Sequence, residues 1–271
     1  MNITELKNKA VEIRKSALTM VNKSGQGHIG GSLSSVDYLT VLFYNRMNLD
    51  PQNPDWELRD RFILSKGHCC EGYYAILADL GFFPKKELDT FCMPGTRLLG
   101  HPDRNLPGIE MNSGSLGHGL SCGCGMALCY KKEDKPNKVY VLLGDGEFAE
   151  GSNWEAMMFA SNYSLDNLYV ALDRNHFQIS GNTEDIMKLE PVKQRVESFG
   201  FACVEINGNS IEEITNGLNE LDKIKDKPKM LILNTIKGKG VDFMEGNYKW
   251  HHGSLSDDEL ANALASVEKE D

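Results

Sequence analysis

Short apolar runs alternate with helix-period segments along most of this chain, and that alternation limits its fold more than any other feature. The runs lie at residues 61–65, 139–143, 168–172, 201–206 and 229–235, and helical patterns fill residues 119–130, 153–161, 191–199 and 210–224. Strands spaced by helices imply a parallel sheet flanked by helices, an α/β fold. Upstream, Leu6, Ala10, Ile13, Ala17 and Val21 recur at helical spacing behind Thr4, a plausible N-cap, and further helices are expected over residues 36–47 and 70–80. A last helix follows Ser256 and is expected to fray at Lys269, Glu270 and Asp271. Residues 84–118 are rich in Gly and Pro with little periodicity, and a loop that long inside a compact domain is usually functional. We read all 271 residues as one domain.

In open parallel sheets, ligands bind beyond the carboxyl ends of the strands. His68, Asp145, Asn175 and Lys237 each fall just past an expected strand end. Asp145 sits in Gly144-Asp145-Gly146, and a bare Asp-Gly is common turn chemistry. The strand before it and Asn175 after a second strand point instead to two hard oxygen donors on one edge. Such donors suit Mg²⁺, with Ca²⁺ or Mn²⁺ as alternatives, and the backbone carbonyl of Phe177 could complete the protein's share. Phosphate oxygens and water would fill the remaining positions.

The chain has seven histidines, and five of them have a glycine as immediate neighbour, which suggests rings presented to a ligand by closely approaching loops. Imidazole titrates near neutrality and can both bind hydroxyls and move protons. The histidines lack His-x-x-x-His spacing for zinc, and no Gly-x-Ser-x-Gly elbow follows a strand. A formal net charge of -10 disfavours nucleic acid as a partner, and no apolar run approaches the roughly 18 to 20 residues a membrane helix needs. The polar N-terminus and seven cysteines without a disulfide or zinc pattern fit a cytoplasmic protein with free thiols.

Together the motifs resemble transketolase. They are Ser24-Gly25-Gln26-Gly27-His28-Ile29-Gly30-Gly31, Leu64-Ser65-Lys66-Gly67-His68, Gly100-His101-Pro102, Gly114-Ser115-Leu116-Gly117, Gly144-Asp145-Gly146-Glu147 through Gly151, and Lys237-Gly238-Lys239-Gly240 with Trp250-His251. They occur in the family's order and span residues 24 to 252. The resemblance implies the fold that binds the diphosphate of thiamine diphosphate, with Asp145, Asn175 and Phe177 holding the metal. By position it makes His68, Gly114, Leu116, Gly146, Asn175, Lys237 and His251 cofactor contacts, with His252 as a substitute for His251. Ile179 would pack on the cofactor rings, and His28 and His101 would face the sugar, so that His28, His68, His101 and His251 form the catalytic set. Glu150, counted with the cofactor-binding set, matches a glutamate that in the family lies at the dimer interface and links two sites; otherwise it is a helix-start carboxylate favoured by the dipole. His118 stands where many relatives have glutamine, and Arg174-Asn175-His176 differs from other relatives.

A complete transketolase also has pyrimidine-binding and C-terminal domains, and no segment here resembles the sequence around the glutamate that activates the cofactor. The chain therefore looks like the N-terminal subunit of a split transketolase, working on sugar phosphates with a separate C-terminal subunit in a two-plus-two heterotetramer. The alternatives are a subunit of a related ketose synthase, such as a deoxyxylulose-phosphate synthase, and a non-catalytic thiamine-diphosphate-binding partner protein.

Overall fold

The computed structural model describes residues 1–270, so Asp271 lies outside it. Its elements are α1 (Ile3–Ser24), α2 (Ile29–Val41), β1 (Arg61–Leu64), α3 (Glu71–Leu80), α4 (Gly119–Lys132), β2 (Val139–Gly144), α5 (Gly151–Asn162), β3 (Leu168–Arg174), β4 (Phe177–Gln178), β5 (Gly181–Asn182), α6 (Thr183–Ile186), α7 (Val192–Ser198), β6 (Ala202–Asn207), α8 (Ile211–Asp222), β7 (Lys229–Asn234) and α9 (Asp257–Val267). Five strands form one parallel sheet in the order β1-β2-β3-β7-β6, and β4 pairs with β5 in a small hairpin.

Alternate strand residues point to opposite faces, and the two cores divide on that parity. Phe62, Leu64, Tyr140, Leu142, Tyr169, Ala171, Leu231 and Leu233 pack beneath α1, α2, α3 and α8. Ile63, Val139, Val141, Leu143, Leu168, Val170, Leu172, Met230 and Ile232 pack beneath α4, α5 and α7. A sheet covered on both faces accounts for strands that read as unbroken apolar runs rather than alternating ones. A third cluster joins α1, α2 and α9 through Ala17, Val21, Leu33, Leu255 and Ala263.

The strands and most helices fall where periodicity places them, but the second helix does not. It starts at Ile29, seven residues before the expected 36, and continues past Val41 as a π turn over Leu42–Arg46. Gly30, Gly31 and Ser32 are poor helix formers, yet packing overrides propensity: a Cβ on Gly30 would lie 2.6 Å from the Trp250 carbonyl oxygen. The segment 84–118 contains a 3₁₀ turn over Lys85–Thr90 and is otherwise irregular, close to expectation. The β4–β5 hairpin and α6 are too short to carry a periodic signal. At the other end α9 stops at Val267 and a 3₁₀ turn follows over Glu268–Glu270. Among the described residues no helix is long and apolar enough to cross a membrane.

Candidate active site

A cavity of about 330 Å³ opens beyond the carboxyl ends of the sheet's adjacent strands β1, β2, β3 and β7. β1 delivers Lys66, His68 and Cys69; β2 delivers Asp145, Gly146 and Glu147; β3 delivers Asn175 and Phe177; β7 delivers Lys237. His28, Gly114, Leu116, Ile179 and His251 complete the walls expected from the sequence.

Asp145 is almost fully buried. Its Oδ1 accepts from the Gly146 N–H at 2.8 Å, and its Oδ2 accepts from the His176 N–H at 2.6 Å and from Arg174 at 3.3 Å. Burial, and next the charge of Asp173, push its carboxyl up to about 6. His176 adopts a left-handed backbone, φ 68°, uncommon for a residue with a side chain. Asn175 donates its amide to Asp173 Oδ2 at 2.7 Å, and its amide oxygen accepts from the Phe177 N–H at 3.1 Å.

Lys237 is 2% exposed, and its side-chain nitrogen lies 3.3 Å from His251 Nδ1. No carboxylate lies within ion-pair distance of it among the described residues, and burial lowers its pKa. A buried cation without a counter-ion is costly, and an anion in the cavity would relieve that cost. The residues therefore fit a metal diphosphate: an oxygen-only donor set of one carboxylate, one amide and one carbonyl on one wall, and an unpaired buried ammonium on another.

The histidines gather around His28. Its ring centroid lies 4.6 Å from His252, 5.2 Å from His68, 5.6 Å from His251 and 6.0 Å from His101. Burial, followed by the neighbouring rings and Lys237, lowers His28 to about 4; burial and then Lys237 lower His251 to about 3. Burial also lowers His68 and His101, so these rings are neutral at neutral pH and able to accept a proton. Gly114 makes the approach of His101 feasible, because it sits at φ 135° and a Cβ there would lie 2.7 Å from His101 Cδ2.

His101 reaches the histidine cluster without lining the cavity. His252 packs on His28 while His251 lines the cavity. Glu150 stands apart: it is exposed, immediately before α5, and lies against Gly117. His118 is exposed at the start of α4, with Nδ1 3.1 Å from the Leu116 carbonyl oxygen.

Several buried polar residues around the cavity are given no role by the sequence, including Glu147 inside the motif of residues 144–151. Glu147 accepts from the Gly117 N–H at 2.9 Å, the Gly144 N–H at 3.0 Å and the Ser65 hydroxyl, joining three loops. Glu71 accepts from the His28 N–H at 2.6 Å, and burial pushes it up to about 7. Arg174 spans Asp145, Thr183, Glu184 and Glu190, anchoring the hairpin segment. The one signal these residues give in sequence is polarity: Asp173 and Arg174 end an otherwise apolar strand, and Glu147 follows the Gly-Asp-Gly turn.

The sequence matches the family profile of the transketolase thiamine diphosphate binding domain over residues 6–267. It is 44% identical over 267 residues to one subunit of the apulose-4-phosphate transketolase of Phocaeicola vulgatus, covering 98% of this chain and 95% of that one. It is 43% identical over 267 residues to one subunit of the 6-deoxy-6-sulfo-D-fructose transketolase of a Clostridium species, covering 98% and 97%. The transketolase of Leishmania mexicana superposes with a TM-score of 0.92 at 31% identity, covering 97% of this chain but 41% of that longer one. The chain belongs to the transketolase family and corresponds to its thiamine-diphosphate-binding part, which matches nearly the full length of those two bacterial subunits.

Proposed function

We propose that residues 1–271 act as one diphosphate-binding domain, the N-terminal subunit of a split transketolase. With a separate C-terminal subunit, as a two-plus-two heterotetramer in the cytoplasm, it transfers a two-carbon ketol unit between ketose and aldose phosphates. The observation that carries this reading is the unpaired, buried Lys237 facing an oxygen-only donor set across one cavity. Asp145, Asn175 and the Phe177 carbonyl hold Mg²⁺. Lys237, His68 and His251, with the backbone at Gly114, Leu116 and Gly146, hold the diphosphate. Thiamine diphosphate, when bound, supplies the electron sink for C2–C3 cleavage.

This chain's own residues bind, orient and move protons. His28 and His101, neutral at working pH, accept protons from sugar hydroxyls, while His68 and His251 stand between them and the diphosphate. Ile179 is 69% exposed at the cavity mouth, an apolar side chain suited to packing on cofactor rings. The half of the site that would cover Ile179 and act on the pyrimidine ring comes from the second subunit.

The test is reconstitution with the adjacent reading frame's product, thiamine diphosphate and Mg²⁺. Ketose donors should include pentulose phosphates, apulose 4-phosphate and 6-deoxy-6-sulfofructose, since those last two appear in the names of relatives. Ketol transfer that requires both proteins is expected. Absence of transfer from every ketose would sink the reading.

A further inference from the structure

A polar cluster is centred on Asp173, which does not line the cavity although its partners Lys66 and Asn175 do. This carboxylate is fully buried, as is Lys66, whose ammonium lies 2.6 Å from Asp173 Oδ2 and 2.8 Å from the Gly31 carbonyl oxygen. Oδ2 also accepts from the Ser34 hydroxyl at 2.8 Å and from Asn175 Nδ2 at 2.7 Å, and Oδ1 accepts from the Thr235 hydroxyl. An ionised carboxylate offers acceptor sites only. Asn175 must therefore turn its NH₂ group toward Asp173, which leaves its amide oxygen on the opposite side, where it meets the Phe177 N–H. A flipped amide would set two acceptors against each other behind the wall and present donors to a metal in front of it.

We propose that Asp173, braced by Lys66, is a positioning residue for the metal site, fixing the Asn175 carboxamide with its oxygen toward the cation. The inference rests on the reading of Asn175 as a metal ligand. Lys66 has a defined part: its ammonium, 2.6 Å from Oδ2, is the counter-charge of the buried carboxylate that Asn175 meets. The arrangement is the counterpart of the outer-shell carboxylates that orient metal-bound histidines elsewhere.

The test is Mn²⁺ titration, followed by electron paramagnetic resonance, of the reconstituted enzyme saturated with thiamine diphosphate. Lys66→Met combined with Asp173→Leu removes the pair without stranding a charge and removes the acceptor that Asn175 meets. Mn²⁺ affinity is expected to fall about 10- to 100-fold while the melting temperature of the metal-free protein is little changed, a separation that a merely structural role would not give. Thr235→Val removes one Asp173 hydrogen bond with no charge change, and a weakening of about two- to tenfold is expected; it decides the matter where the double variant does not fold. Wild-type Mn²⁺ affinity in either folded variant overturns the assignment. Asn175→Ala separates the two levels: unchanged affinity there would fault the metal-site reading itself, not the orienting role of Asp173.

Discussion

The floor and the mouth of the cavity are built differently. At the floor, Asp145, Asn175 and Lys237 are buried, and Asp145 and Asn175 are tied to the chain by several hydrogen bonds. At the mouth, Ile179 is exposed and His101 is exposed beside the ring cluster. The floor is a preorganised binding surface whose desolvation cost is already met by folding. The mouth is a set of exposed side chains, as the proposed reading of a subunit that anchors a cofactor and depends on a partner would require.

Loss of the floor carboxylate is expected to sharpen that contrast most. Asp145→Asn removes the charge of the proposed metal ligand while Arg174 keeps Glu184 and Glu190, and activity of the reconstituted enzyme should fall by more than about 100-fold, beyond what outer-shell changes cost. Lys237→Met is expected next. Thiamine diphosphate affinity, read by calorimetry on the reconstituted complex, should drop about 10- to 100-fold with the loss of a charge-assisted bond. The cofactor-free protein should melt higher, because a buried unpaired cation is gone. A lower melting temperature would break the idea that Lys237 waits for an anion.

The pH response is a third way to separate the regions. Asp145 is pushed up to about 6, so the native state favours its protonated form. The metal-free protein therefore loses stability from this group as pH rises from the unfolded value near 4 to about 6, and no further above that. Metal binding must displace that proton below 6, so Mg²⁺ affinity should weaken by about tenfold per pH unit there. The melting-temperature gain on adding Mg²⁺ with thiamine diphosphate should be full at pH 7.5 and mostly lost at pH 5. Glu71, pushed up to about 7, adds a destabilisation of the same sign that metal does not relieve, and Glu71→Gln should remove it.

The mouth should respond least. Ile179→Ala is expected to change the stability of the isolated chain by within about 0.5 kcal/mol, because the side chain is already in water. In the reconstituted enzyme it should weaken cofactor binding severalfold. An equal effect with and without the partner protein would erase the distinction between floor and mouth.

Much of this is legible from local pattern. Buried parallel strands announce themselves as apolar runs, and the polar residues just past them, His68, Asp145, Asn175 and Lys237, converge as the topology requires. What stays hidden depends on contacts between distant residues. Lys66 and Asp173 are 107 residues apart, and nothing near either one indicates the other. The early start of α2 is hidden for a related reason, since Gly30 and Gly31 disfavour a helix until Trp250 and Cys69 pack against them. Glu147 lies inside one of the motifs and Arg174 next to Asn175, but their roles as braces depend on loops that only the folded chain brings together.

Gly27 and Gly253 are joined by an isolated β-bridge, with the Gly253 N–H donating to the Gly27 carbonyl oxygen at 2.9 Å. His28 from the start of the chain and His251 from near its end thus enter the ring cluster side by side. During synthesis, the cleft lacks both Lys237 and His251 until most of the chain has left the ribosome. A chain cut after Asn234 would keep every strand of the sheet and lose both Lys237 and His251, so the sheet and the cavity wall they form are separable in the sequence.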